Sequence, residues 1–121
     1  MSASFRDLRV GPEAMTLAAP VYKSTAGFPR SEVYGLAQQM RRAAVSVPSN
    51  IAEGKGHRFN REFVHFLLQA RGSLWELQTQ IPIAEELQYI SEKSRGELLK
   101  KAEDVSRALP GLVSSVSSEA A

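Results

Sequence analysis

Apolar side chains return every three or four positions through most of this chain, and nowhere do they alternate as a half-buried strand requires. Four stretches carry the helical repeat. The first, from about Asp7 to Ser24, is expected to bury Leu8, Met15, Ala18, Val21 and Tyr22, and it ends at Ala26-Gly27-Phe28-Pro29, where glycine and proline stop a helix. The second opens at Ser31, an expected N-cap, and presents Val33, Leu36, Met40, Ala44, Val47 and Ile51. The third starts at Asn60, again an expected cap, and aligns Phe63, Leu67, Ala70, Leu74, Leu77, Ile81 and Ala84. The fourth starts at Ser91, whose hydroxyl suits a cap, and aligns Leu98, Ala102, Val105, Leu109, Leu112 and Val116. The expected helices cover 7–25, 31–54, 60–89 and 91–110. Four long amphipathic helices with short connections predict one all-α domain over residues 1–121, an antiparallel up-down-up-down four-helix bundle with a frayed tail at 117–121.

Prolines interrupt that pattern. Pro48, Pro82 and Pro110 fall inside the expected helices, where each removes a backbone donor at a cost of roughly 3 kcal/mol unless the chain bends. Each is a predicted kink. Gly111 follows Pro110, so the fourth helix is expected to break there and leave Leu112 to Val116 as a loose last turn. At the other end Gly11-Pro12 delays regular geometry to Pro12, a good first helical residue.

Composition changes the picture only slightly. The chain has 121 residues, 43% hydrophobic and 23% charged, enough for one core. It contains no cysteine, which excludes disulfides, thiol nucleophiles and thiolate metal sites. No segment has the apolar length of a signal peptide or of a membrane span, so the expected location is cytoplasmic and no membrane partner is expected. Charge matters more. The net value is +2, yet Arg41, Arg42, Lys55, Arg58, Arg61 and Arg71 face only Glu53 and Glu62 between residues 41 and 71, while the part after residue 71 is acidic. That asymmetry suits an anionic partner, or copies of the chain meeting through opposite surfaces.

Candidate chemistry concentrates between Arg41 and Arg58, in RRAAVSVPSNIAEGKGHR. Helical spacing puts Ser46, Asn50 and Glu53 on one stripe beside the apolar seam, and half-buried polar groups need partners. Ser73 and Glu76 on the third helix are the expected ones, with Arg41 or Arg42 meeting Glu76. Gly54 reads as the left-handed residue just past a helix end, with Lys55 and His57 near the negative end of the helix dipole. The loop that follows is basic and leads into a helix N-terminus, yet it lacks the P-loop pattern and the preceding strand. Glu62 and His65 have the Glu-x-x-His spacing of di-iron bundles, but the second pair and the two further glutamates such a site needs are missing. No nucleophile elbow is present. Neither catalytic residues, a metal nor a cofactor are expected. Tyr22, Phe28, Tyr34, Phe59, Phe63, Phe66 and Tyr89 read as core, whereas Trp75 lies beside the seam and is expected to face a neighbouring subunit.

Beyond this, FRDLRV, EAMTLAAPVY, FPRSEVYGLAQQMRRAAVSVPSNIAEGKGHR and FLLQARGSLWELQTQIPIAEELQYI together resemble the four-helix-bundle family of 23S rRNA-intervening-sequence proteins, over roughly residues 5–110. The family segment QxRRAxxSxPxNIAEGxGR is carried by Gln39, Arg41, Arg42, Ser46, Pro48, Asn50, Ile51, Glu53, Gly54, Gly56 and Arg58, joined by Ser73, Glu76 and Leu77. His57 shifts the final arginine by one place. Where the family has a tryptophan and a glutamine after its DLxV segment, this chain has Gly11-Pro12, which loses an aromatic anchor and plants a helix breaker. The resemblance implies a ring-shaped homo-oligomer, a homopentamer. It also implies a link to nucleic acid, because members are encoded within large-subunit rRNA genes and similar basic rings accompany the reverse transcriptases of diversity-generating retroelements. No catalytic residues come with it.

The expected function is therefore a non-enzymatic oligomeric adaptor that binds RNA or DNA backbone through Arg41, Arg42, Lys55, Arg58, Arg61 and Arg71. The alternative is a scaffold for a protein partner that never touches nucleic acid. A helix-turn-helix reader is disfavoured, because its short recognition helix does not match segments this long.

Overall fold

The computed structural model describes residues 9–120. The expected helix start at Asp7, the burial of Leu8 and the tail residue Ala121 lie outside the described residues. Among the described residues five α-helices and one 3₁₀ turn follow in order: α1 (Val10–Met15), α2 (Ala18–Thr25), the 3₁₀ turn (Arg30–Glu32), α3 (Leu36–Lys55), α4 (Asn60–Glu86) and α5 (Glu92–Ala120). There is no strand among the described residues. The broadest contacts are α3 with α4 and α4 with α5, and the α1–α2 arm closes the bundle by packing on both α3 and α5. Short links at 56–59 and 87–91 make successive long helices antiparallel.

The α1–α2 arm is one expected helix in two pieces. Pro12 costs nothing, because it falls in the first turn of α1, where no donor is required. Pro20 is the cause of the break. It has no N–H for the Thr16 carbonyl and its ring would crowd that group, so the chain tightens there into i→i−3 bonds, Thr16 N–H to Glu13 O and Leu17 N–H to Ala14 O. The Thr16 hydroxyl adds a 2.7 Å bond to Glu13 O.

Among the described residues of the expected stripe only Val21 is enclosed, and the arm buries other residues beside it. Val10, Ala14, Leu17, Val21 and Thr25 are enclosed, while Met15 is 70% exposed and Tyr22 lies outside the core. Burial of Thr25 is tolerated because its hydroxyl donates to Val21 O at 2.8 Å and accepts from Arg41 Nε at 2.7 Å.

Ser31 does not cap α3, which begins five residues later. Gly35 takes the cap position, and Glu32, from the 3₁₀ turn, reaches forward so that its Oε1 accepts the Leu36 N–H at 3.0 Å. Its Oε2 accepts the Tyr89 hydroxyl at 2.8 Å. A Cβ at Gly35 would collide with that carboxylate. The Leu36 amide first, then the Tyr89 hydroxyl, hold the Glu32 carboxyl below its ordinary range, and the bond to Glu32 raises Tyr89. Tyr89 in turn tilts against the buried Phe28 ring at 5.1 Å, which ties the α2–α3 connection to the α4–α5 turn.

Asn60 does not cap α4 either. Phe59 occupies the cap position in extended conformation, and no side chain caps the helix. Ser91 is the one serine or asparagine cap that forms as expected, its Oγ accepting the Ser94 N–H at 3.0 Å. Before it, α4 ends with Gln88 in the left-handed region at φ 64°, while the Tyr89 N–H returns to Ala84 O. An ion pair of 3.0 Å between Arg95 Nε and Glu85 Oε1 clips the same turn, too bent for a hydrogen bond.

The long helices match their expected seams closely. Met40, Ala44, Val47 and Ile51 of α3, Leu67 to Ala84 of α4 and all six expected positions of α5 are buried. Only the seam ends differ, with Val33 exposed and Leu36 and Phe63 half-buried. Each long helix runs continuously through its proline. Pro110-Gly111 does not end α5, which continues through the expected loose turn and frayed tail to Ala120 and buries Leu112 and Val116. Packing of those two side chains is what offsets the missing donor.

Candidate nucleic-acid interface and the α3–α4 polar seam

Where α3 crosses α4, small residues bring the two backbones together and the expected polar network forms in part. Ser46 Oγ and Ser73 Oγ are 2.8 Å apart, and Asn50 Nδ2 donates to both Ser46 Oγ and Ser46 O at 2.9 Å. Glu53 and Glu76 are not in it. Glu76 stands exposed at the edge of a cavity of about 350 Å³, and the expected pairing with Arg41 or Arg42 is not formed. Arg41 turns the other way, onto α2. Its Nε meets Thr25, its Nη2 donates to Tyr22 O at 3.4 Å, and its guanidinium covers the Tyr22 ring at 4.7 Å. A cation at the C-terminal end of α2 also complements the helix dipole.

Gly54 is not a left-handed helix end. It is buried within α3, and no described glycine has a positive φ. A Cβ there would come within 2.6 Å of Phe63 Cδ1 and 3.2 Å of Phe63 O, so the position is a close crossing of α3 over the first turns of α4. The helix ends two residues later at Gly56, with an ordinary φ of −76°.

The loop after it arranges charge. His57 Nδ1 lies 2.6 Å from Glu62 Oε2, its Nε2 lies 3.9 Å from Glu53 Oε1, and its ring stacks on Phe66. The local glutamates are thus turned to His57. Arg58 and Arg61 stand exposed beside them without an ion pair, Arg58 resting over the exposed Phe59 ring at 5.5 Å. Lys55, also exposed and without an ion pair, leans toward α1, where a methyl on Gly11 would lie 3.4 Å from its Nζ. Glu62 facing His57, and His65 sharing a contact with Gln69 instead, means that the Glu-x-x-His spacing does not converge on a common point.

The six candidate cations therefore do not form one face. Lys55, Arg58 and Arg61 share the α3–α4 end, Arg42 lies more than three turns back along α3, and Arg41 is committed to α2. Arg71 sits about 15 Å along α4 from Arg61, at 1.5 Å per residue, with its guanidinium over Trp75 at 4.7 Å. Trp75 is 54% exposed, and Leu68, two turns before it, is 39% exposed. Of the aromatics read as core, only Phe28 is buried. Phe63, Phe66 and Tyr89 are half-buried, and Tyr22, Tyr34 and Phe59 are exposed.

Two features escaped the sequence reading. One is Gln80, only 8% exposed, whose Oε1 is enclosed without a partner beside the α3–α4 cavity. A carbonyl so placed costs about 1–3 kcal/mol if nothing donates to it. The other is a larger cavity of about 610 Å³ between α1 and α5, whose lining residues Asp104 and Arg107 already pair at 3.3 Å. No helix among the described residues is long and apolar enough to cross a membrane.

A four-helix bundle with a broken first helix, a serine–asparagine seam and a basic α3–α4 end places this chain among small all-α proteins. It belongs to the 23S rRNA-intervening sequence protein family, whose pattern it matches over residues 6–111. Its fold is similar to the crystal structure of a protein of unknown function from the S23 ribosomal protein family of Bacteroides thetaiotaomicron. The TM-score is 0.81 at 14% identity, over 91% of this chain and 99% of that one. Comparison with curated proteins gave no match.

Proposed function

We propose that the protein is a non-enzymatic, cytoplasmic adaptor that binds RNA or DNA backbone and acts as a homo-oligomer, of the ring-shaped, pentameric kind the family resemblance implies. The observation that carries the nucleic-acid reading is the α3–α4 end, where Glu53 and Glu62 lie against His57 and Lys55, Arg58 and Arg61 stand exposed without an ion pair. Arg42 and Arg71 extend the basic surface in two directions, while Arg41 takes no part. Such contacts grip phosphate without reading sequence.

Fluorescence anisotropy of the nucleic-acid-free protein with structured RNA and with duplex DNA, over a salt series, tests this. Each phosphate contact contributes a slope of about −0.9 in log K against log salt on a duplex, so Arg58→Glu with Arg61→Glu removes about two units of slope and most of the affinity. Absence of binding at low salt sinks the reading. A protein-partner scaffold is the second reading, and the exposed Leu68 and Trp75 favour it, because a partner polypeptide suits that stripe as well as a second copy does.

A further inference from the structure

The α3–α4 cavity presents unpaired groups of both signs of charge. Arg42 of α3 and Glu76 of α4 line it and are not paired with each other or with any other described residue, while Ala43, Ser46 and Ser73 keep its floor shallow. The two serines have two hydroxyl protons between them. One is used in their mutual 2.8 Å bond, and Asn50 supplies Ser46 with a donor, so one O–H remains to be given away. Gln80 belongs to the same lining, but its Oε1 is enclosed and not presented to the cavity.

These demands exclude most ligand classes. A phosphate or other simple anion meets Arg42 but is repelled by Glu76, and a polyamine or metal cation meets Glu76 but is repelled by Arg42. An apolar molecule leaves all the polar groups unmatched. A nucleobase finds no aromatic ring in the lining to stack on. We propose that this cavity binds a small zwitterion, a free α-amino acid, with its carboxylate on Arg42 and the spare serine hydroxyl and its ammonium toward Glu76. About 350 Å³ lies in the range of small-ligand sites.

The site shares Arg42 with the proposed nucleic-acid surface but none of Lys55, Arg58 and Arg61, which carry that reading, so either can fail alone. Dialysed full-length protein is unfolded thermally in the presence of each common α-amino acid in excess, and ligands that shift the midpoint are titrated by calorimetry. At tenfold over its Kd the right amino acid raises Tm by about 5 °C. Arg42→Gln and Glu76→Gln each weaken binding about tenfold or more while leaving the ligand-free Tm in place, since both side chains are exposed. Propionate and ethylamine, which carry one charge each, bind far more weakly than alanine. Three results overturn the proposal: no shift with any amino acid, binding that survives both substitutions, or tighter binding of phosphate or a nucleoside than of every amino acid.

Discussion

At Gly54 the backbone itself is the packing surface. By intrinsic propensity, Gly54→Ala should stabilise a helix interior by about 1 kcal/mol. The position of Phe63 O reverses that sign, because a carbonyl in the first turn of α4 cannot swing aside as a side-chain tip can. The expected outcome is a loss of about 1–3 kcal/mol in urea denaturation, typical of overpacking. A variant as stable as the parent would mean that α3 and α4 are free to move apart here. This residue also marks how far single positions are legible. In the sequence, Gly54 stands out because a Cβ is missing, but a helix end and a helix crossing both call for that absence. Ser46, Asn50 and Ser73 are legible because i, i+4 geometry and a neighbouring helix suffice to pair them. The partner of Arg41 is not, since Thr25 becomes a buried acceptor only once the arm has chosen its stripe.

That choice belongs to the scale of elements. Two stripes that share Val21 compete in the first helix, one through Met15, Ala18 and Tyr22 and one through Val10, Ala14, Leu17 and Thr25. Periodicity alone does not rank them. The second wins with smaller residues, which let α1 and α2 settle against both α3 and α5. Long seams such as Leu67 to Ala84 have no such rival, so α3, α4 and α5 are legible almost to the residue, whereas the entry to α3 depends on a carboxylate that arrives from outside the helix.

The Glu32–Tyr89 link makes that entry pH-dependent. Glu32 has a lowered folded value, so its contribution is present above the ordinary glutamate range and is lost as pH falls through the folded value. Tyr89 has a raised one, so its contribution is present below the ordinary tyrosine range and is lost as pH rises through the folded value. Urea midpoints measured from acid to alkaline pH should show Glu32→Gln flattening the acid limb and Tyr89→Phe the alkaline limb. Parallel curves for the parent and both variants would remove the link from the account.

For the whole molecule, the surface of α4 that faces away from the core is the telling one. Leu68, Arg71, Trp75 and Pro82 recur at spacings of three, four and seven, a coiled-coil-like stripe on a helix whose other side is already buried. Arg71 lies over the Trp75 ring at 4.7 Å from its centroid, a cation–π contact within the stripe. Under the proposed self-assembly, this stripe packs against another copy, and a half-exposed tryptophan at its centre is the expected anchor. Trp75→Glu, alone or with Leu68→Glu, should then lower the mass measured by light scattering to that of one chain, with helical circular dichroism unchanged because neither side chain enters the core. Arg58→Glu with Arg61→Glu should leave the mass unchanged and affect only nucleic-acid binding. A Trp75→Glu protein that keeps the parent's oligomeric mass would move the self-contact elsewhere and leave the stripe to a different polypeptide, the condition the scaffold reading requires.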